Sequence, residues 1–385
     1  MPLSIFALFL AVFAIGTTEF VIAGILPQVA GDLGISIPTA GSLISGYAAG
    51  VAVGGPIVAI MTSRFERKAT LLGLMTIFII GNALCALAPS YGWLMGARIF
   101  ISISHGAYFG IAAVTATTLV TKDKRARALS LVFAGIMVAN VLGVPAGTAV
   151  GNAFGWRVTF WAIAVLGLVS FIGTAVWLPR APIESQAIPK LSKEFSSLLN
   201  YDVYTSLVMI VFGAVGMFGT FAYIAPLLTD VAGLSPTYLP SLLSLLGIGA
   251  LIGNLSGGRL ADWKLVPSVV GIFAAQAVVY LVLLFAIHNI LSATIMMLVW
   301  SIVTFAFAAP LQARILTAAR EAPNLASTLI STAFNIGISS GAAIGALLLA
   351  HGMDYASLPW LGFVAVLPAL TIAVYALMTE RRDAI

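Results

Sequence analysis

The chain has 385 residues, of which 61% are hydrophobic and 8% are charged, against roughly 25% charged in an ordinary soluble domain. Its 13 acidic and 18 basic side chains are too few to cover the surface of a water-soluble protein, so the composition excludes a cytosolic enzyme. The net charge of +5 does not indicate nucleic-acid binding, because no basic face is available. The single cysteine, Cys85, excludes a disulfide framework and a cysteine metal site.

The apolar segments predict twelve membrane-spanning helices, because a bilayer core about 30 Å thick needs about 20 apolar residues per helix. Turn or charge signals separate them at 31–34, 88–90, 155–157 and 233–236. We place the helices at 4–27, 38–62, 69–88, 92–119, 128–151, 157–179, 204–228, 236–258, 266–287, 290–313, 325–350 and 357–379. The sequence thus predicts an all-α polytopic membrane protein.

One long polar stretch interrupts the apolar pattern at about 180–203, between the sixth and seventh helices. It predicts an N-terminal six-helix bundle at 1–180, a cytoplasmic linker at 181–203 and a C-terminal six-helix bundle at 204–385. With the N-terminus inside, 16 of the 18 basic residues fall in the cytoplasmic loops and the C-terminal tail. Both termini are therefore predicted to be cytoplasmic.

Four predicted helices carry glycines at i, i+4 and i+8, which places a smooth stripe on one face of each. They are every third helix, so the pattern indicates nested repeats and two halves built alike. We expect these four helices to form the contact between the halves, with faces that allow rocking. The glycines are Gly46, Gly50 and Gly54, Gly143, Gly147 and Gly151, Gly249, Gly253 and Gly257, and Gly337, Gly341 and Gly345.

The loops after the second and eighth helices also correspond. The eighth helix ends in Gly258-Arg259-Leu260-Ala261-Asp262-Trp263, and its counterpart carries Arg64, Arg67 and Lys68. This pair resembles the cytoplasmic signature of the major facilitator superfamily, although Ser63 and Glu66 stand where an acid and a glycine are usual. The resemblance implies that these charges act as a conformational motif together with Asp262.

Three further motifs narrow the resemblance. The first helix carries one at 16–20 and 24–27, the fourth carries Arg98 followed by residues 105–110, and the fifth carries residues 139–147 and ends at 155–157. These motifs are similar to those of the twelve-helix drug:proton antiporters, in particular their bacterial arabinose and sugar efflux branch. The fifth helix resembles the glycine–proline motif of the superfamily's antiporters through Gly143, Pro145 and Gly147. This resemblance covers essentially the whole chain and implies alternating access between two bundles.

Glu19 is the one acidic residue predicted to lie deep within a helix. An ionised carboxylate there is costly unless it is paired or hydrated, so Glu19 is a functional candidate. A group that is neutral when sealed and ionised when open to water suits proton coupling, and a structural hydrogen-bond role is the alternative.

Arg98 is the matching cation, and at 1.5 Å rise per residue both side chains fall in the outer half of the membrane. Arg98 would pair with Glu19 or brace the fourth helix. His105 follows Arg98 by seven residues, which places both on one helix face. It would relay protons or pack as a satisfied core side chain.

Other polar and aromatic side chains are candidates for a substrate cavity, each with simple packing as its alternative. No acidic residue mirrors Glu19 in the second half, so we expect one coupling proton per cycle. The candidates are Tyr108, Asn140, Phe218, Phe221, Tyr223, Gln276 and Asn335.

These observations predict a monomeric efflux transporter of the bacterial inner membrane that exchanges protons for a small organic solute such as a sugar, nucleoside or drug. Its predicted partners are that solute, protons and the lipid bilayer, and no nucleic acid, cofactor or metal is expected. The sequence has no phosphate-binding loop for ATP and no clustered carboxylates for membrane-enzyme chemistry. An uncoupled facilitator or a solute sensor of the same fold is the alternative function.

Overall fold

A computed structural model describes residues 2–62, 65–180, 200–319 and 323–383, and these ranges contain helices and no strand. Twelve of the helices are long and apolar enough to cross a membrane. They are α1 (Leu3–Leu33), α2 (Ile37–Thr62), α3 (Arg67–Ala86), α4 (Tyr91–Thr118), α5 (Arg127–Phe154), α6 (Trp156–Trp177), α7 (Tyr201–Phe221), α8 (Pro236–Trp263), α9 (Leu265–Ala286), α10 (Ile290–Ala318), α11 (Leu325–Ala350) and α12 (Tyr355–Thr379).

The predicted helix breaks are confirmed, with shifts of several residues at some ends. Gly34, Gly155 and Gly233 have φ angles of 63°, 91° and 76°, in the region where glycine is favoured because it lacks a Cβ atom. Helix α1 continues through Pro27 to Leu33, six residues beyond the predicted end. Helix α10 continues to Ala318, five residues beyond its predicted end.

Three spans depart from regular α-helical geometry. Helix α5 contains a π-helical segment at Ala139–Gly143. Helix α7 ends at Phe221 and is followed by a second π-helical segment at Leu227–Val231. Helix α10 consists of two α-helical parts, Ile290–Phe305 and Ala308–Ala318. Such segments leave backbone groups outside the regular i to i−4 pattern, which the surrounding structure must satisfy.

The chain forms two compact units. The first comprises 1–186 with 239–244, and the second comprises 187–238 with 245–385. The predicted bundle boundaries at 180 and 204 stay a prediction, and residues 181–199 of the predicted linker lie outside the described residues. Helix α7 begins at Tyr201. In each unit the first helix, α1 or α7, is the most enclosed span.

Glycine stripes organise the same helix pairs in both units. The glycines of α2 face α4 and those of α5 face α1, while those of α8 face α10 and those of α11 face α7. Because the pairings recur, the two six-helix bundles are pseudo-symmetric. The glycine faces themselves contact helices of their own unit, where backbones approach closely, and the expectation that these four helices form the contact between the halves stays a prediction.

Candidate functional site

Glu19 lies on α1 in the first unit, with a side chain that is 10% exposed. Its Oε2 atom is 3.9 Å from Nε2 of His105 on α4. The adjacent Thr18 is fully buried and donates from its hydroxyl to Asn82 Oδ1 at 2.7 Å. The acid therefore contacts α4 and retains a small exposed area, while the neighbouring Thr18 ties α1 to α3.

Arg98 on α4 is fully buried, and it contacts the backbone of α1. Its Nη1 donates to the carbonyl oxygen of Thr18 at 2.7 Å, and its Nη2 donates to that of Glu19 at 3.5 Å. Among the described residues, the Glu19 carboxylate has an ion-pair contact within 4.0 Å with His105, and none with Arg98. These contacts favour the alternative in which Arg98 is a brace, because its guanidinium ties α4 to the backbone of α1.

Tyr47 on α2 completes this arrangement, and the sequence analysis did not single it out. Its hydroxyl lies 3.0 Å from Nδ1 of His105, and the Arg98 Cζ atom lies 4.2 Å from the centre of its ring. The opposite side of the imidazole meets Phe109, with ring centroids 4.8 Å apart.

Helix geometry explains why these residues meet. Arg98 and His105 are seven residues apart and share one face of α4. Helix α2 approaches that helix closely because Gly55 faces Gly106, where an added Cβ would lie 3.0 Å from backbone. We call Glu19, Tyr47, Arg98 and His105 the Glu19 cluster. It combines one carboxylate with an imidazole that has a polar group at each ring nitrogen, which is an arrangement able to hold and pass a proton.

The other cavity candidates in the first unit lie elsewhere. Tyr108 is fully buried, and its hydroxyl interacts with Thr174 of α6, so it lies apart from the Glu19 cluster. Asn140 lies in the π-helical segment of α5 and donates to the Ile136 carbonyl oxygen at 3.1 Å.

The candidates of the second unit are all largely buried. Phe218 and Phe221 form an edge-to-face pair with centroids 5.6 Å apart. Tyr223 donates to the Ala342 carbonyl oxygen at 2.9 Å, and Gln276 donates to the Val303 carbonyl oxygen at 3.3 Å. Asn335 instead makes its hydrogen bond within its own helix, α11.

Asn335 on α11 repeats the hydrogen bond of Asn140. Its amide donates to the Ser331 carbonyl oxygen at 3.0 Å, four residues earlier, as Asn140 does to Ile136. The Oδ1 atom of Asn335 is buried and has no hydrogen-bond partner among the described residues. Asn140 precedes Gly143 by three residues, whereas Asn335 precedes Gly337 by two, and the π-helical segment of α5 accounts for the extra residue.

The predicted cytoplasmic charges do not form an ion pair in the part of the chain that the structure describes. Arg64 lies outside the described residues. Asp262 is exposed and Arg67 is partly exposed, and neither has an ion pair within 4.0 Å among the described residues. Lys68 instead donates to the Leu178 carbonyl oxygen at 2.6 Å, which caps the end of α6.

The glycine–proline motif of α5 packs against α1. An added Cβ at Gly143 would lie 2.1 Å from Thr17 Oγ1, and one at Gly147 would lie 2.6 Å from Val21 Cγ2. Pro145 follows the π-helical segment, at the start of the second α-helical part of α5. These residues therefore set how closely α5 approaches the helix that carries Glu19.

A second buried arginine was assigned to a loop by the sequence analysis, and that assignment is wrong. Arg314 lies within α10 and is 5% exposed. It forms an ion pair with Asp202 of α7 at 2.7 Å and donates to the hydroxyls of Thr205 and Ser206 at 3.2 and 3.3 Å. The span is longer than predicted, so this charge lies against α7.

No group of three or more His, Cys, Asp or Glu side chains that could hold a metal ion occurs within the described residues. The polar groups of the Glu19 cluster contact one another and the backbone, and the cluster contains one carboxylate.

Comparison with known proteins places the fold in a family. The family model described as Major Facilitator Superfamily matches residues 8–342. The chain is 40% identical over 366 residues to the inner membrane transport protein YdhP of Escherichia coli K12, covering 95% of this chain and 94% of YdhP. It is 32% identical over 377 residues to a chloramphenicol resistance protein of Streptomyces lividans, covering 97% and 96%.

A solved structure shares the architecture. A bacterial homologue of the human lysosomal transporter Spinster, in an inward-facing and occupied conformation, matches with a TM-score of 0.76. The match covers 98% of this chain and 96% of that chain at 17% identity, so it bears on the fold alone. The family expected from the sequence motifs is confirmed, and with it the expectations of an inner-membrane location and a non-enzymatic role. The chain belongs to the Major Facilitator Superfamily and is a multi-pass, efflux-type transport protein of the bacterial inner membrane.

Proposed function

We propose that this transporter exchanges protons for a small organic solute by alternating access, and that Glu19 carries the coupled proton. The observation that carries the proposal is the enclosure of Glu19 beside His105, with 10% of its side chain exposed. An ionisable group inside a membrane helix is expensive, and it is commonly retained for a proton or ion pathway.

The electrostatics of the Glu19 cluster support reversible protonation. The guanidinium of Arg98 is bound to two backbone carbonyl oxygens and is not committed to the carboxylate of Glu19. The carboxylate therefore contacts a group that itself titrates near neutral pH in water. A tight Arg–carboxylate pair would instead hold the acid permanently ionised.

The proposed substrate class is inferred from the small number of charged side chains among the candidate cavity residues. One acid and many hydroxyl, amide and aromatic groups suit neutral or cationic solutes, so sugars, nucleosides and drug-like molecules are the proposed class. The name of the Streptomyces relative, a chloramphenicol resistance protein, supports including that neutral drug.

Among the proposed cavity residues, Asn335 is the best placed to bind a solute. Its amide nitrogen is already used within α11, whereas its buried Oδ1 is unpartnered among the described residues. An acceptor of this kind favours a solute that presents a hydroxyl, amide or ammonium donor. Asn140, Phe218 and Phe221 would add polar and aromatic contacts.

The experiment is proton movement in energised inverted vesicles on addition of chloramphenicol, the cationic dye ethidium or arabinose. We expect at least one compound to release protons, with about one proton per solute, and Glu19→Gln to abolish the signal. Asp354→Asn is the matched control, because Asp354 is an exposed acid outside the spanning helices.

Three outcomes contradict the proposal. Undiminished proton release in Glu19→Gln would remove Glu19 from the mechanism. Solute flux without proton movement in the wild type would identify a facilitator, and specific binding without flux would identify a sensor.

A further inference from the structure

Tyr47 is the one member of the Glu19 cluster that has no assigned role. It is 1% exposed, and its hydroxyl lies 3.0 Å from Nδ1 of His105, within hydrogen-bond distance. Among the described residues, this nitrogen is the hydroxyl's one hydrogen-bond partner. The contact joins α2 to α4 at the imidazole that faces Glu19.

The tyrosine ring is held in place independently of that hydrogen bond. The Arg98 guanidinium lies over the ring with its Cζ atom 4.2 Å from the centroid, which is a favourable cation–π distance. Arg98 is in turn fixed to two carbonyl oxygens of α1. The position of the Tyr47 hydroxyl is therefore set by α1 and α4 together.

The neutral imidazole has two tautomers, and its neighbours distinguish them. A buried hydroxyl donates its hydrogen when an acceptor is within reach, and the acceptor described for Tyr47 is Nδ1 of His105. If Nδ1 accepts, the single hydrogen of the neutral ring is on Nε2. That nitrogen faces Glu19 Oε2 at 3.9 Å, and an ionised carboxylate can only accept hydrogen bonds.

No other charged or titratable group that faces the imidazole opposes this assignment in the described structure. Glu19 approaches from α1, Tyr47 from α2 and Arg98 from α4, while Cys85 of α3 interacts electrostatically with Tyr47 and Arg98. The ring neighbour on α4 itself is Phe109, which is apolar.

We propose that Tyr47 is a positioning residue that donates to Nδ1 of His105 and so, while Glu19 is ionised, fixes neutral His105 as the Nε2–H tautomer, with that N–H directed at Glu19. The role in coupling rests on the proposed function, whereas the tautomer is a property of the folded protein alone. The tyrosine hydroxyl can also turn and accept from Nδ1–H, so it can accommodate a second proton on the ring.

The tautomer is measured by nitrogen NMR of the purified transporter labelled with ¹⁵N-histidine. The chain has three histidines, and a His105→Gln sample identifies the signals of His105. In the wild type, under conditions where His105 is neutral, we expect Nδ1 to show the shift of an unprotonated ring nitrogen and Nε2 that of a protonated one. The reverse pattern overturns the proposal without any variant at Tyr47.

Tyr47→Phe keeps the ring beneath Arg98 and removes only the donor. We expect the His105 pattern to change to a mixture of tautomers, and an unchanged pattern would overturn the assignment. Tyr91→Phe is the control, because its hydroxyl pairs with Ser42 away from His105, and it should leave the pattern as in the wild type.

The coupling role is tested in vesicles with whichever of chloramphenicol, ethidium or arabinose releases protons in the wild type. We expect Tyr47→Phe to lower the rate of coupled export about tenfold with unchanged solute binding. Equal coupled rates would overturn the positioning role. If none of the three compounds moves protons in the wild type, the proposed function fails while the NMR result still decides the tautomer.

Discussion

The two units use equivalent helix pairs in different ways. In the first unit α1 and α4 are unbroken, and they carry Glu19, Arg98 and His105. In the second unit α7 stops at Phe221 and α10 is interrupted after Phe305. The described acids of the second unit lie at helix ends or in exposed positions. One pair thus carries a largely buried acid on a regular backbone, and the other combines an irregular backbone with an ion pair between Asp202 and Arg314.

The buried arginines show the same contrast. Arg98 binds two carbonyl oxygens and an aromatic face, whereas Arg314 binds a carboxylate and two hydroxyls. Arg98 leaves the nearby acid without a tight ion pair, as the proposed proton exchange requires. Asp202, which is about half exposed, is instead paired with Arg314. The placement of an arginine therefore decides whether a neighbouring carboxylate is held in a tight ion pair.

The largest expected effect is that of Arg98→Lys. A lysine cannot reproduce the planar contact with two carbonyl oxygens and the Tyr47 ring, so we expect a loss of about 3 kcal/mol in the free energy of unfolding. Denaturant titration in detergent measures it. Arg314→Lys should cost less, about 1 kcal/mol, because a lysine retains the contact with the half-exposed Asp202. Equal losses would contradict the contrast between the two arginines.

Gly257→Ala tests how rigidly α8 and α10 are joined in the second unit. An added Cβ would lie 2.1 Å from the backbone oxygen of Ala306, so we expect destabilisation of about 2 kcal/mol. Gly258→Ala is the matched control, since nothing lies within 4 Å of its Cβ position. In the first unit Gly46→Ala should cost less, because the nearest atoms are Sδ and Cε of Met95, at the far end of a flexible side chain.

Tyr223→Phe tests whether a hydrogen bond to α11 stabilises the irregular backbone that follows the end of α7. Its hydroxyl donates to the Ala342 carbonyl oxygen of α11 at 2.9 Å, just beyond the end of α7. We expect a loss of about 1 kcal/mol by thermal unfolding in detergent, with no change for Tyr238→Phe at an exposed position. A neutral result for Tyr223→Phe would mean that the interruption needs no support from α11.

Gln276→Leu should have the smallest effect. Gln276 donates to the Val303 carbonyl oxygen beside the break in α10, but its own Oε1 is buried and unpartnered among the described residues. Leucine removes the hydrogen bond to Val303, which lowers the free energy of unfolding, and it also removes the buried, unpartnered Oε1, which raises it. We therefore expect a net change below about 1 kcal/mol. A large loss in the same unfolding assay would show that the break depends on this hydrogen bond.

Hydropathy was sufficient to predict the number and order of the helices, because each span must satisfy its backbone internally over a fixed thickness. The acid in α1 could also be identified, since Glu19 is conspicuous in an apolar helix. The helix spacing likewise identifies that Arg98 and His105 share one face of α4. These are properties of single helices, which the sequence pattern displays directly.

Contacts between helices were beyond the reach of the pattern. Tyr47 looks like an ordinary packing residue among the small residues of α2, and only the approach of α2 to α4 reveals its contact with His105. The sequence pattern places Arg314 in a loop because no composition change marks the last turns of α10. The pattern leaves open whether Arg98 pairs with Glu19 or acts as a brace, because charge complementarity points to a carboxylate and says nothing of the backbone carbonyl oxygens that Arg98 binds.

The π-helical segment of α5 lies directly before Pro145. A proline inside a helix has no N–H to donate, and its ring crowds the carbonyl group of the residue four positions earlier, here Val141. The hydrogen bond from the Val144 N–H to the Ala139 carbonyl oxygen closes the wider turn ahead of the proline, which changes the register of the carbonyl groups there. Replacing Pro145 with alanine should therefore allow a regular α-helix through 139–143, beside the helix that carries Glu19.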